Sequence, residues 1–369
     1  MKEFKRIVIK IGTSVLTKSL AEADAAHSTL GSLVQEFSRI RSEGKELLLV
    51  TSGAIGMGMK SLSWQDRPQD IAKKQALAAL GQVSLMQTYQ QLFKNDNLMV
   101  AQVLLTRGDF GDRQRYLNAR QTLLTLLKFG IVPIINENDT VATEEIRFGD
   151  NDQLSALVAA KIDADLLVIL SDVDGLYSSQ KGKESEILPL IPQITPEIEK
   201  MVWKGIKSSL GTGGMGSKIE AAKIATASSV TMIIANAFRK NVLSEILRGE
   251  PIGTKFVPAG SLTAKEKWIL FGAVPKGEIF VDQGAELILK GRKVSLLSAG
   301  VLEVKGNFVK KDVVRVKAED GQEFARGIVS FSSDELQKIK GRKSSEIKKI
   351  LKNAVQVEVI HRDSLVLVP

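Results

Sequence analysis

The 369-residue chain has no cysteine and only two histidines, His27 and His361. That excludes disulfides, thiolate metal sites and imidazole-built metal clusters, so a bound cation would be oxygen-ligated, which points to Mg2+. No stretch approaches the roughly 18 to 20 apolar residues of a spanning helix, the densest run being residues 166–170. The N-terminus, MKEFKRIVIKIGTSVL, superficially suggests a secretory leader. Lys10 interrupts its short apolar stretch, however, and no small-residue cleavage site follows. The expectation is a cytoplasmic protein with no membrane partner. Internal repeats and low-complexity stretches are also missing.

What is present is ordinary for a soluble globular protein: 44% hydrophobic and 25% charged residues, on a chain long enough for two domains. Of the net charge of +9, residues 272–369 contribute +5, from 18 Lys/Arg against 13 Asp/Glu. This skew fits an anionic partner for the tail or simply a solvated basic surface. Apolar strands are expected at residues 4–11, 47–50, 100–105, 131–135, 165–170 and 231–235. Helices are expected at 25–42, 70–95, 115–128, 217–229 and 242–247, with Gly44 closing the first of them. Apolar strands alternating with helices predict an α/β fold, a mostly parallel sheet covered on both faces. After Thr263, glycine-punctuated short strands such as 313–316 and 355–360 predict a small, mainly β domain. The boundary is placed within 260–271, giving domains 1–260 and 272–369.

In a parallel sheet, ligands bind beyond the carboxyl ends of the strands. Those ends read Lys10-Ile-Gly-Thr, Thr51-Ser-Gly-Ala, Asn136-Glu-Asn-Asp and Ser171-Asp-Val-Asp. After the third comes an alternating segment (Val141, Thr143, Glu145, Ile146, Phe148) expected as a hairpin. Gly149-Asp-Asn-Asp152 then opens a helix bearing Leu154, Leu157, Val158 and the stem of Lys161. A turn and N-cap explain either polar cluster alone. Two clusters facing one edge need a metal, an ammonium group or a basic side chain to neutralise them.

Gly211-Thr-Gly-Gly-Met-Gly-Ser-Lys218 contains GxGxxG, but no strand precedes it and no acidic residue lies about 20 positions on, against a dinucleotide fingerprint. It also misses a phosphate-binding loop of the GxxxxGK[ST] type, because Ser217 and Lys218 stand in the reverse order. A glycine-rich turn running into a helix N-terminus still offers backbone N–H groups to phosphate. A flexible structural loop is the alternative. Lys10, following apolar residues at a strand end, needs an anionic partner. A salt bridge accounts for it as well as catalysis does.

Taken together, Lys10-Ile-Gly-Thr-Ser, Thr51-Ser-Gly-Ala-Ile, Asn136-Glu-Asn-Asp, Gly149-Asp-Asn-Asp, Ser171-Asp-Val-Asp-Gly-Leu-Tyr and Gly211-Thr-Gly-Gly-Met resemble the amino acid kinase family. The nearest members are those that phosphorylate the side-chain carboxylate of glutamate. Val281-Asp-Gln-Gly-Ala, Ser295-Leu-Leu-Ser-Ala-Gly, Ala325-Arg-Gly and Ile360-His-Arg-Asp in the tail resemble a PUA domain. The resemblance implies a three-layer sandwich, ATP and Mg2+ as cofactors, and L-glutamate as substrate. Inhibition by proline, a homo-oligomer (tetramer or dimer) and a reductase that takes over glutamyl phosphate are further implications. Position by position, it implies Lys10, Asp152 and Lys218 as catalytic residues, with Asp152 orienting the lysines. Ser52, Asp139 and Asn151 would bind glutamate. Lys10, Gly12, Ser171, Asp172, Thr212, Gly213, Gly214, Met215, Gly216, Ser217 and Lys218 would hold the nucleotide. Departures are small: Ser171 where relatives often carry Thr, Gly216 where a hydroxyl residue is common, and Ser298 in place of a proline in the tail.

The chemistry agrees with that composition. A carboxylate nucleophile, with a pKa of about 4.3, is ionised at pH 7 and needs no general base. It needs charge neutralisation, from Lys10, Lys218, Mg2+ and backbone N–H groups of Gly12 and the 211–216 loop. Competing readings are a kinase of this family acting on acetylglutamate, aspartate or carbamate, and an RNA-binding role for the tail. Against the latter, the tail's Phe280, Phe308, Phe324 and Phe331 are expected to be core residues, leaving no stacking platform.

Overall fold

The computed structural model describes residues 3–21, 28–141, 151–178, 186–203, 214–258, 260, 262–351 and 356–368. These form two compact units, one from residues 1–109 and 114–261, the other from 110–113 and 262–369. Among the described residues no helix is long and apolar enough to cross a membrane.

The first unit is built on β1 (Arg6–Ile11), β2 (Glu46–Val50), β3 (Val100–Leu105), β4 (Val132–Glu137), β5 (Leu166–Ser171), β6 (Leu190–Ile191), β7 (Thr231–Asn236) and β8 (Thr254–Phe256). Their order across the sheet is β3-β4-β2-β1-β5-β7-β8-β6, parallel except where β8 joins β7. The chain first winds from β1 toward β2, β3 and β4, then crosses to β5 on the other side of β1. The carboxyl end of β1 therefore lies at the reversal of winding, where an open α/β sheet leaves a crevice. Strand interiors are buried on both faces, which is why they read as continuous apolar runs.

The helices are α1 (Thr13–Ala21), α2 (Thr29–Ser42), α3 (Ala54–Ser61), α4 (Ile71–Lys94), α5 (Gly108–Gly111), α6 (Arg113–Lys128), α7 (Asn151–Lys161), α8 (Pro196–Trp203), α9 (Met215–Ala227) and α10 (Val242–Arg248). Local chemistry sets several ends. Ser28 caps α2 by accepting from the Gly31 N–H at 3.1 Å, and Gly44 leaves that helix at φ +83°. Asp70 caps α4 through the Lys73 N–H at 2.8 Å. One face of the sheet (Ile7, Ile9, Ile11, Leu47, Leu49) packs with α2, α4 and α10 through Leu33, Phe37, Tyr89, Phe93 and Leu243. Strand alternation turns Val8 and Lys10 to the opposite face, the face on which α7 contacts β1 and packs against α9.

Helices α1 and α3, which begin two and four residues after strand ends, are not among the helices expected from the sequence. Their seats are tertiary. An added Cβ at Gly81 would meet the Ala54 carbonyl oxygen at 1.8 Å, and one at Gly58 the Leu77 carbonyl at 2.0 Å. Helices α3 and α4 thus cross backbone to backbone. Strand β4 runs two residues past its predicted end, so Asn136 and Glu137 are buried strand residues rather than an emerging polar cluster. Hydrogen bonds from Asn136 (below) satisfy what burial would otherwise make costly. The hairpin expected after Val141 lies outside the described residues, as do His27 and Gly149-Asp150.

The second unit is a six-stranded sheet in the order β10-β14-β13-β12-β9-β11, comprising β9 (Gly277–Val281), β10 (Leu296–Leu297), β11 (Val301–Gly306), β12 (Val313–Lys317), β13 (Glu323–Val329) and β14 (Glu358–Leu367). Its core includes Ile279, Val281, Val314, Val316, Phe308, Phe324 and Phe331. Phe280 departs from expectation. Flanked by the inward Ile279 and Val281, it faces outward, half-buried, with the ammonium groups of Lys305 and Lys317 at 4.5 and 5.6 Å from its ring centre. Those cations are not a free basic surface, since Lys317 also pairs with Glu278 at 2.7 Å and Lys305 with Glu303 at 3.3 Å.

Candidate active site

Three charged side chains from three elements meet beyond the end of β1. Asp152, in the first turn of α7, is wholly buried and lies between Lys10 Nζ at 2.5 Å and Lys218 Nζ at 3.1 Å. Burial alone would raise the Asp152 pKa. The ammonium groups of Lys10 and Lys218 outweigh it and hold the carboxyl well below the usual carboxylate range. The Ser217 hydroxyl, with one proton to give, lies 2.7 Å from the Gly214 carbonyl and 3.0 Å from Asp152 Oδ2. One carboxylate thus holds two cations that would otherwise repel each other, each on a rigid element. Gly12 keeps space beside them, because a Cβ there would stand 3.8 Å from Lys10 Nζ and 3.3 Å from the Leu170 carbonyl.

One expectation for Gly12 is corrected. Its N–H donates to the Leu170 carbonyl at 3.1 Å, so it continues the β1–β5 ladder rather than facing a ligand. What this strand end offers instead is the first turn of α1, whose leading N–H groups have no intrahelical acceptor.

Beside the charged triad is a buried chain of amides. Asn151, at the start of α7, donates through Nδ2 to the Thr51 carbonyl and to Asn136 Oδ1 (2.8 Å). Asn136 Nδ2 in turn donates to Gln82 Oε1 at 2.8 Å, and its Oδ1 accepts the Glu137 N–H at 2.9 Å. Thr51 Oγ1 lies 2.8 Å from the Tyr89 hydroxyl. Ser52, next to Thr51, is buried, and Gly53 makes the turn into α3 at φ +96°. Asp139 is half-buried and lines a cavity of about 250 Å3 together with Ala54, Gln82, Glu137 and Asn138. Of the three residues expected to bind glutamate, Asn151 is bonded to the Thr51 carbonyl next to Ser52, while Asp139 lines a cavity shared with Gln82, the far end of the same amide chain.

On the other flank, Ser171 is buried at the end of β5 and its hydroxyl faces Asp172 Oδ1 at 3.2 Å, while Asp172 itself is exposed. Gly214 is the N-cap of α9, which starts at Met215, two residues before its predicted start. Among the described residues nothing stands within 4 Å of where a Cβ on Gly214 or Gly216 would sit, which leaves room for close approach to the helix N-terminus. That fits a phosphate chain resting on backbone N–H groups. Thr212 and Gly213 lie outside the described residues. Among the described residues no group of three acidic or imidazole side chains is placed to hold a metal. A divalent ion here fits as one carried on nucleotide phosphates, the usual mode for Mg2+.

Sequence reading did not single out Gln82 and Tyr89, both from α4. A signal was available: on the stripe of Ala78, Leu85 and Leu92, Gln82 is a polar residue in an apolar row, four after Ala78 and three before Leu85.

Comparison with known proteins bears on this geometry. The amino acid kinase family model matches residues 5–236, and the PUA domain model matches residues 277–351. A glutamate 5-kinase of Synechococcus sp. is 44% identical over 372 residues, covering 98% of each chain. One of Thermus thermophilus is 45% identical over 364 residues, covering 98% of this chain and 97% of its own. Among solved structures, carbamate kinase from Giardia lamblia bound to AMP-PNP superposes with a TM-score of 0.50 at 17% identity, over 70% of this chain and all of its own. That last likeness speaks for the fold alone.

Proposed function

The chain belongs to the amino acid kinase family and is a kinase; on that premise we propose that it transfers the γ-phosphoryl group of ATP to the side-chain carboxylate of free L-glutamate. An oxygen of the carboxylate forms the new bond to phosphorus as the bond to the bridging oxygen of ADP breaks, giving L-glutamyl 5-phosphate and ADP. The observation that carries this reading is the buried Lys10–Asp152–Lys218 triad, adjoined at Asn151 by the buried Asn151–Asn136–Gln82 amide chain. The relatives named glutamate 5-kinase, matched over nearly the whole chain, supply the substrate.

The reacting groups are both anionic, so the barrier is one of charge and alignment rather than proton transfer. Lys10 and Lys218, held by Asp152, neutralise the transferring phosphoryl group from two sides. Because Asp152 has no share in the reaction beyond holding them, it is a positioning residue. Ser52 and Asn151 hold the substrate, and Asp139 takes its ammonium group. Ser171, Asp172 and the 212–218 segment hold ATP, with Gly214 and Gly216 giving its phosphates access to the α9 N-terminus. Mg2+, borne by the phosphates, supplies further neutralisation of their charge.

The same reading makes the protein the first enzyme of proline biosynthesis, cytoplasmic, inhibited by proline and oligomeric, its product passing to a reductase. The test is an ATP/Mg2+ assay that traps acyl phosphate with hydroxylamine, run on glutamate, N-acetylglutamate and aspartate. Hydroxamate from glutamate, lost in Asp139→Ala, is the expected result. Preference for N-acetylglutamate would overturn the substrate while leaving the phosphate chemistry.

A further inference from the structure

The polarity of the Gln82–Asn136–Asn151 chain is set by backbone groups. The Glu137 N–H donates to Asn136 Oδ1, which identifies that atom as oxygen, so the atom facing Gln82 is the Asn136 NH2. Gln82 must then present its own oxygen. At the other end, Asn151 spends its NH2 on two acceptors, the Thr51 carbonyl and Asn136 Oδ1. The Asn151 oxygen is therefore the atom left for a ligand, and an oxygen accepts from a donor such as an ammonium group.

Packing does not account for Gln82. It is buried on the apolar stripe of α4, and its Nε2 is enclosed with no hydrogen-bond acceptor among the described residues. An apolar side chain of the same length would fill the space without enclosing an unpaired donor. Gln82 also lines the cavity that Glu137 and Asp139 face.

We propose that Gln82 is a substrate-positioning residue: through Asn136 it locks the Asn151 carboxamide with its oxygen toward the substrate, and so sets the affinity for a free ammonium group over an acylated one. This rests on the reading that the substrate is a free amino acid. Gln82 reaches the substrate only through its neighbours, so its loss acts on one Michaelis constant. Without Gln82 the buried Asn136 NH2 loses its acceptor, and Asn136, still oriented by the Glu137 N–H but no longer tethered on its far side, shifts and takes Asn151 with it.

The test is steady-state kinetics of Gln82→Met, which keeps length and loses the acceptor, beside Gln82→Glu, whose carboxylate oxygen still accepts from Asn136. For Q82M the KM for glutamate should rise about tenfold, with kcat and the KM for ATP within about threefold of wild type. Its preference for glutamate over N-acetylglutamate should shrink by a similar factor. Q82E should return the glutamate KM to within about threefold of wild type. Gln82→Asn, too short to reach Asn136, breaks the same bond and should repeat the Q82M pattern. An unchanged glutamate KM in Q82M beside an active wild type would overturn this proposal alone. So would both Michaelis constants rising together without rescue in Q82E, or loss of folding in both Q82M and Q82N. A wild type inactive on glutamate would overturn the functional reading and this proposal with it.

Discussion

Replacing Asp152 by asparagine tests the organisation of the site at its centre. The carboxylate is fully buried and lies 2.5 Å from Lys10 Nζ and 3.1 Å from Lys218 Nζ, whose side chains are each 6% exposed. At an effective dielectric constant of about 20, Coulomb attraction is about 7 kcal/mol for the first pair and about 5 kcal/mol for the second. Desolvation of three charges offsets most of that gain, and removing one partner of a buried pair typically costs about 3–5 kcal/mol net. Asparagine keeps the shape, but its NH2 would face one of the ammonium groups, donor against donor. With about 4 kcal/mol lost from a unit of this size, Tm should fall by about 8–16 °C. The lysines should lose register by about an ångström, enough for roughly a hundredfold in kcat. Calorimetry and hydroxamate trapping read the two effects separately. Because the native pKa of Asp152 lies below the ordinary 3.8, the wild-type advantage is present at neutral pH and is lost as pH falls below 3.8 through the depressed native value. A D152N protein with unchanged Tm and unchanged kcat would refute the reasoning.

Lys161 offers a pH prediction of opposite sense to most lysines. It is buried at the end of α7, with its ammonium 4.4 Å from the Tyr116 ring centre. Burial pushes its pKa from 10.5 down to about 8, with Asp109 opposing. Between those values the unfolded chain binds the extra proton, so stability from this group rises with pH, by up to about 3 kcal/mol. It is fully present above 10.5 and lost as pH falls through 8. The difference in unfolding free energy between wild type and Lys161→Met, measured in urea from pH 7 to 10.5, should shift by that amount, and a flat difference would contradict it. Gly81→Ala should destabilise the first unit by about 3 kcal/mol or more, since its Cβ would stand 1.8 Å from the Ala54 carbonyl and 2.3 Å from the Gly58 nitrogen. Thermal unfolding reads this, and a fall of under about 2 °C would show that α3 and α4 can part cheaply.

Much of this protein is legible from its sequence because the deciding signals are local. Runs such as residues 166–170, apolar without alternation, mark strands covered on both faces, and polar residues at their ends mark the edge where ligands gather. Lys10 and Asp152 are conspicuous for the same reason: a charge at the end of a buried strand and another opening a buried helix each require a partner. Which partner was beyond local reading. Lys10, Asp152 and Lys218 are separated by 142 and 66 positions, and only the packing of α7 on β1 and of α9 against α7 brings them together. The same holds where expectation and structure part. Asn136 reads as an exit from a strand but is held inside one, because Gln82, 54 residues earlier, satisfies its amide. Gly12 reads as an open donor but is spent on Leu170, a partner chosen by sheet order. Phe280 reads as core but alternation in β9 turns it outward between two lysines. The sequence by itself determined the element types and the chemistry at their ends, because periodicity, capping and burial cost act over a few residues. Only the tertiary structure decided which ends meet, because hydrogen bonds and ion pairs between distant segments depend on sheet order and helix seating.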